Sequence, residues 1–250
     1  DVFSGHYFSP IPDPETLPVS LEATVAGDSL PGLNLIIGSN RNESLMYIPE
    51  GAELSDYLEG YFPPETWDDI KVMLGPELSE LSELSELAQM DRLRSAVQYT
   101  CPSLSLAQAA QVAGGSVYVY RFDRVREGFE VIGAYHGAEL PYVFDTHDPW
   151  MPTNAVDLQV TDALVDYWVA FLADGSPNEF QSGRKETSDS EMGGSEINSA
   201  ETGRAMWSAW SQQQQALVIA DEISTQTHPD AALCLCCLLY TSPSPRDQAK

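Results

Sequence analysis

Apolar positions gather along this chain in short runs whose spacing changes from one segment to the next. LNLIIG (Leu33 to Gly38) is a continuous apolar run ending in glycine, which predicts a buried strand, and the polar turn SNRNES follows at once. From Ala52 to Val112 the spacing is helical, interrupted by Pro63, Pro64, Gly75, Pro76 and Pro102. Within it ELSELSELSEL (77–87) repeats Leu every third residue, a stripe that drifts around a helix and predicts a surface helix without a sustained heptad. Gly114 and Gly115 stop the helical pattern, and SVYVYRFD (Ser116 to Asp123) predicts a second buried strand from its β-branched and aromatic content. Helical spacing returns in VTDALVDYWVAFL (Val160 to Leu172), closed by Asp174-Gly175 and Pro177, and QALVIAD (Gln215 to Asp221) predicts a last strand. Residues 1–32 read as loop and 181–205 as a mobile acidic loop without periodicity. Strand, long helical excursion, strand, helix, strand is the order of an α/β protein with a partial central sheet.

Composition narrows the function classes. With 250 residues, 43% of them apolar, the chain can fill a substantial core, whereas 38 Asp+Glu against 12 Lys+Arg, a formal charge of -26, supplies no basic stripe. Nucleic acid is therefore not an expected partner. No apolar run approaches the roughly 20 residues of a membrane span. The chain starts at Asp1 inside loop-like sequence with neither an initiator Met nor a leader, as expected of a front truncation. CLLYTSPSPRD (Cys237 to Asp247) resembles the translation of a transposase sequencing adapter; 237–250 are expected to be non-native, leaving 1–236 for fold reasoning.

Two predicted strands carry chemistry-bearing residues in the loops beyond their carboxyl ends, where α/β folds build their sites. Glu43 follows the first strand, and His136 lies beyond the second in GAYHGAELPYVF (Gly133 to Phe144), among residues small enough to leave an imidazole open. A carboxylate bonded to one ring nitrogen fixes the tautomer, stabilises the charged ring and frees the other nitrogen to take a proton from a nucleophile. Two other chemistries are weighed. Gly27-Asp28-Ser29-Leu30 spells the GDSL hydrolase signature, but the preceding LEATVA is not the required strand and no Asp-x-x-His occurs late in the chain. A metal site from His136, Glu139, Asp145, His147 and Asp148 matches no zinc spacing, and Asp145 and Asp148 are more simply turn residues.

LNLIIGSNRNESLMY resembles the segment around the triad acid of the type B carboxylesterase and cholinesterase family, and GAYHGAELPYVF resembles its histidine segment almost residue for residue. The Asp91 to Pro102 stretch with YTCPS, VYVYRFD, YWVAFLADGSPN and WSAW (207–210) are similar to further family segments in the family's order, over roughly residues 8 to 234. The resemblance implies the carboxyl-terminal half of an α/β-hydrolase fold with triad order Ser, Glu, His, in which Glu43 is the acid and His136 the general base. It implies a small-molecule ester substrate and no cofactor, with Trp150, Tyr142 and Phe144 at an acyl or alcohol pocket or, for Tyr142 and Phe144, in the core. Cys101 and Cys234 fall where cholinesterase members have a bridged pair; the bridge implies an exported parent, extracellular or periplasmic, the alternative being two reduced core thiols.

The chain departs from the family in having Asn42 and Ser44 where Asp and Gly usually flank the triad acid. Asn42-Glu43-Ser44 is also a glycosylation sequon, read as chance because a glycan would crowd the site. Neither the Gly-x-Ser-x-Gly elbow nor the glycine-rich oxyanion loop occurs in these 250 residues, so the chain by itself is expected to be inactive. The competing reading is a non-catalytic cholinesterase-like adhesion or binding protein, a class that commonly loses triad residues.

Overall fold

A computed structural model describes residues 13, 15, 32–56, 83–179 and 204–234. Several sequence expectations lie outside these: the loop over most of 1–32 with its GDSL tetrapeptide, the repeat up to residue 82, the acidic loop over 181–203, and 237–250.

Among the described residues four strands make one sheet in the order β1 (Leu35–Asn40), β2 (Val117–Phe122), β3 (Gln215–Ile219) and β4 (Ile223–Thr227). β1 runs parallel to β2, with Leu35 opposite Val117 and Asn40 opposite Phe122, and β2 runs parallel to β3. β4 returns antiparallel through a tight hairpin. QALVI is therefore not the last strand, contrary to expectation. ISTQT escapes the sequence pattern because it is a polar sheet edge that buries little, so no alternation of apolar residues marks it.

Alternation along the buried strands decides which layer each side chain enters. Val117 and Val119 of β2 and Ala216 of β3 face a helical layer formed by α1 (Glu86–Ser95) and α2 (Cys101–Val112), packing with Leu93, Leu104, Ala107 and Ala110. Tyr118, Phe122, Leu217 and Ile219 face the other way, against α3 (Leu140–Val143) and α4 (Ala155–Asp174), where they meet Tyr142, Leu164, Tyr167 and Trp207. A parallel sheet covered on both faces explains why these strands read as continuous apolar runs.

Local signals set the helix ends. α1 starts at Ser85, whose side chain accepts from the Ala88 N–H, so the Leu repeat enters a helix only from Glu86 among the described residues. Pro102, read as an interruption, instead sits in the first turn of α2, where its missing N–H costs least; the Ala96–Thr100 π turn joins the two helices. α4 begins five residues earlier than the periodicity suggests, because Asn154 and Asp157 form a reciprocal capping box, and it ends on Gly175 in the left-handed region at φ 73°.

Polar ties lock the layers. Arg124, buried on the β2 side, donates to Asp157 at 2.8 Å and to Asp221 at 2.6 Å, while Tyr142 donates to the same Asp157 at 2.7 Å. Asp157 accepts three donors in a first helical turn; these bonds, Arg124 foremost, outweigh desolvation and hold its carboxyl below the usual range. On the opposite face the Cys101–Cys234 disulfide, with Cα atoms 5.0 Å apart, joins the start of α2 to the 231–234 turn.

Tyr142 lies fully buried against Phe122, with the Arg126 guanidinium 4.5 Å above its ring, as core packing requires. Phe144 does not join it. It follows the last residue of α3, where the chain turns through Asp145 at φ 50°, and the residue is 66% exposed, as Trp150 is at 68%. Apolar character alone did not reveal that α3 is a single turn with one buried face.

Candidate active site

The turn after β1 is bound to the loop after β2 by continuing the parallel pairing past the strands. Arg41 N–H donates to Phe122 O at 2.9 Å, Asn42 N–H donates to Ala134 O at 3.0 Å, and Asn42 pairs with Tyr135 in an isolated parallel bridge. This backbone zipper sets Glu43 beside His136, 93 residues away. Glu43 Oε2 lies 2.6 Å from His136 Nδ1, and Glu43 Oε1 accepts the Asn40 N–H at 2.6 Å.

The two partners differ in environment. The Glu43 side chain is 7% exposed and the His136 side chain 47%, so the carboxylate is sealed behind the ring while the ring keeps an open side. Burial raises the Glu43 carboxyl above its usual range, and the Asn40 N–H and His136 pull against that. An ionised carboxylate only accepts, so Nδ1 carries the shared hydrogen and Nε2 is left as a base. Tyr99 and Tyr47 frame the imidazole at centroid distances of 5.2 and 6.3 Å. Tyr99 belongs to the π turn, held to β1 by Ser39 Oγ and Thr100 Oγ1 at 2.8 Å. Such a site can draw a proton from a hydroxyl brought to Nε2 and hold the resulting imidazolium against a buried anion.

Three of the small residues near His136 have a packing role. Ala134 and Ala138 are buried in the core below the ring, and a Cβ on Gly133 would lie 2.2 Å from Asn42 Oδ1. Gly133 thus makes room for the Asn42 carboxamide, and Ala134 and Ala138 belong to the core. Asn42 is no glycan acceptor in this fold, since its Nδ2 donates to Asp91 at 2.7 Å.

Several contributors were given no role by the sequence. Asn40 Nδ2 donates to Tyr135 O at 2.8 Å and to Glu139 Oε2 at 2.5 Å, a second tie between the two loops. Asp91 on α1 accepts from Asn42, from Ser44 N–H at 3.2 Å and from Ser95 Oγ at 3.1 Å. Asn40 and Asn42 flank Glu43 closely enough to be suspected, whereas Asp91 stands 49 residues away, at the start of the Asp91 to Pro102 stretch, whose resemblance gave its carboxylate no role. The five residues weighed as metal ligands do not converge: His136 faces Glu43, Glu139 faces Asn40, and His147 sits between Arg126 Nη2 at 2.6 Å and Thr161 Oγ1 at 2.7 Å. Among the described residues no group of three His, Cys, Asp or Glu is placed to hold a metal, and no helix is long and apolar enough to cross a membrane.

Comparison with known proteins agrees with this architecture. The para-nitrobenzyl esterase of Bacillus subtilis (strain 168) is 24% identical over 181 residues, which are 69% of this chain and 35% of that protein. A solved PNB esterase superposes with a TM-score of 0.61 at 22% identity, covering 92% of this chain and 44% of the other. EstA of Aspergillus niger gives 0.65 at 17% identity, over 93% and 44%. The chain thus spans about a third to under half the length of these relatives, and its partial sheet corresponds to part of an α/β-hydrolase carboxylesterase. Residues 3–234 match the profile of the carboxylesterase family, and a match over nearly the whole chain, on the same fold, places this chain in that family.

Proposed function

We propose that the protein hydrolyses carboxylic esters through a serine acyl-enzyme, with His136 as general base and Glu43 as the carboxylate that orients it. The observation that carries this reading is the 2.6 Å contact between a sealed carboxylate and a half-open imidazole on adjacent sheet-end loops. A serine hydroxyl brought to His136 Nε2 gives up its proton as its oxygen attacks the ester carbonyl. The imidazolium returns that proton to the departing alcohol, and water repeats the cycle on the acyl-enzyme. Serine and oxyanion donors come from sequence outside these 250 residues, and the chain alone is expected to turn over no ester. Retention of both Glu43 and His136 in bonded geometry favours an enzyme over a non-catalytic adhesion relative, which has no use for the pair. The Cys101–Cys234 bridge favours a protein that works outside the reducing cytosol.

The test is to recover the longer coding sequence, express it and assay p-nitrophenyl and p-nitrobenzyl esters. A Gly-x-Ser-x-Gly upstream and activity lost by roughly 10⁴-fold in His136→Ala, with a comparable loss in Glu43→Gln, are expected. Absence of that serine, or wild-type turnover in His136→Ala, would overturn the reading.

A further inference from the structure

Asn42 is neither acid nor base, yet it touches both loops that carry the pair and the helix behind them. Its backbone N–H donates to Ala134 O at 3.0 Å and its Oδ1 accepts from Ala134 N–H at 3.0 Å, closing a ring with the residue two before His136. Arg41 Nε donates to the same oxygen at 3.1 Å. The remaining amide group, Nδ2, donates to Asp91 Oδ2 at 2.7 Å. Asp91 is 2% exposed, and its Oδ1 takes the Ser44 N–H and the Ser95 hydroxyl, so its carboxylate is fixed from the residue on the far side of Glu43 as well.

The partners dictate the orientation of the carboxamide. Reversed, it would set NH₂ against the Ala134 N–H and oxygen against the Asp91 carboxylate, two repulsive contacts in place of two bonds. Aspartate cannot substitute. One oxygen would still accept from Ala134, but the other would face Asp91 at hydrogen-bond distance, where two carboxylates coexist only by sharing a proton. Gly133 is an independent sign of how closely the carboxamide is seated: at φ 63° it has no side chain where Oδ1 enters, and any Cβ would collide with it.

We propose that Asn42 and Asp91 form a positioning pair that sets the separation of Glu43 and His136, with an amide required at 42 because α1 already supplies the acid. Its catalytic consequence rests on the esterase reading, while its geometry is readable without turnover. Asn42 bridges two loops that carry Arg41, Glu43 and Glu139 around His136, and α1 adds Asp91 against Asn42 and Arg94, which donates to Tyr47 O at 3.3 Å.

The experiment compares Asn42→Asp, Asp91→Asn and the exchange of both in the 250-residue chain, reading the low-field proton resonance of His136 Nδ1 by NMR. Asn42→Asp is expected to lose the resonance. The double exchange is expected to regain it, since an amide at 91 donates to the acid at 42 and still accepts from Ser44. In the longer enzyme, Asn42→Asp should lower kcat by about 10- to 100-fold with KM little changed, and the exchange should recover it. A wild-type resonance in Asn42→Asp, no recovery in the exchange, or no such resonance in the wild-type chain would each overturn the proposal. An inactive longer enzyme whose NMR signals follow the expected pattern would instead sink the esterase reading and leave the pair standing.

Discussion

Reducing the Cys101–Cys234 bridge removes a cross-link between residues 133 apart, without removing a packed atom, which makes it a clean perturbation of the unfolded state. A loop of that length loses closure entropy worth about 5 kcal/mol at 25 °C in the chain-entropy estimate, and loss of native disulfides from small secreted domains costs about 2–5 kcal/mol. Both cysteines are buried in the core with Leu104 and Leu233, so the reduced thiols keep their apolar contacts and the entropic effect is isolated. Against a total stability of roughly 5–15 kcal/mol this is a large fraction, corresponding to a Tm lowered by about 10–20 °C for a chain of this size. Thermal and urea melts of the oxidised and dithiothreitol-treated chain, with Cys236 and Cys237 replaced by Ser in both samples, measure it. A reduced chain melting within about 2 °C of the oxidised one would refute the reasoning, because the bridge would then not constrain the unfolded ensemble.

Three further outcomes can be measured. Asp157→Asn leaves the buried Arg124 guanidinium without its main counter-charge and is expected to cost about 3–5 kcal/mol in urea unfolding. Gly133→Ala forces a methyl against Asn42 at a left-handed φ, so the melt should fall and the low-field His136 resonance should disappear. His228, 3% exposed, has its pKa pushed down to about 4 by burial, with Asp230 opposing and Arg121 adding to the fall. The folded state therefore refuses a proton that the unfolded chain accepts below about pH 6.5, so stability is intact above that pH and declines as pH falls toward 4, by about 3 kcal/mol. His228→Asn, which keeps an acceptor for the Asp230 N–H, should flatten the melting temperature across that window.

The sequence by itself determined three strands and the long helix α4. Buried parallel strands must be apolar on both faces, and so VYVYRF and QALVI announce themselves, whereas LNLIIG, expected to be buried, forms a strand at the end of the described sheet whose apolar residues are only half-buried. Glu43 and His136 were legible because each sits just past a strand end inside a segment that resembles a known family. Only the tertiary structure decided that β4 exists, that Phe144 is exposed beside a buried Tyr142, and that Gly133 and Ala134 make way for a carboxamide. It alone brought Asp91 to the turn at Asn42, across 49 residues of chain. The reason is physical: hydrophobic periodicity reports how much surface an element buries, which is a local property. A single polar contact between distant segments leaves no period, and its partners become visible only when the sheet register has placed them within hydrogen-bonding distance.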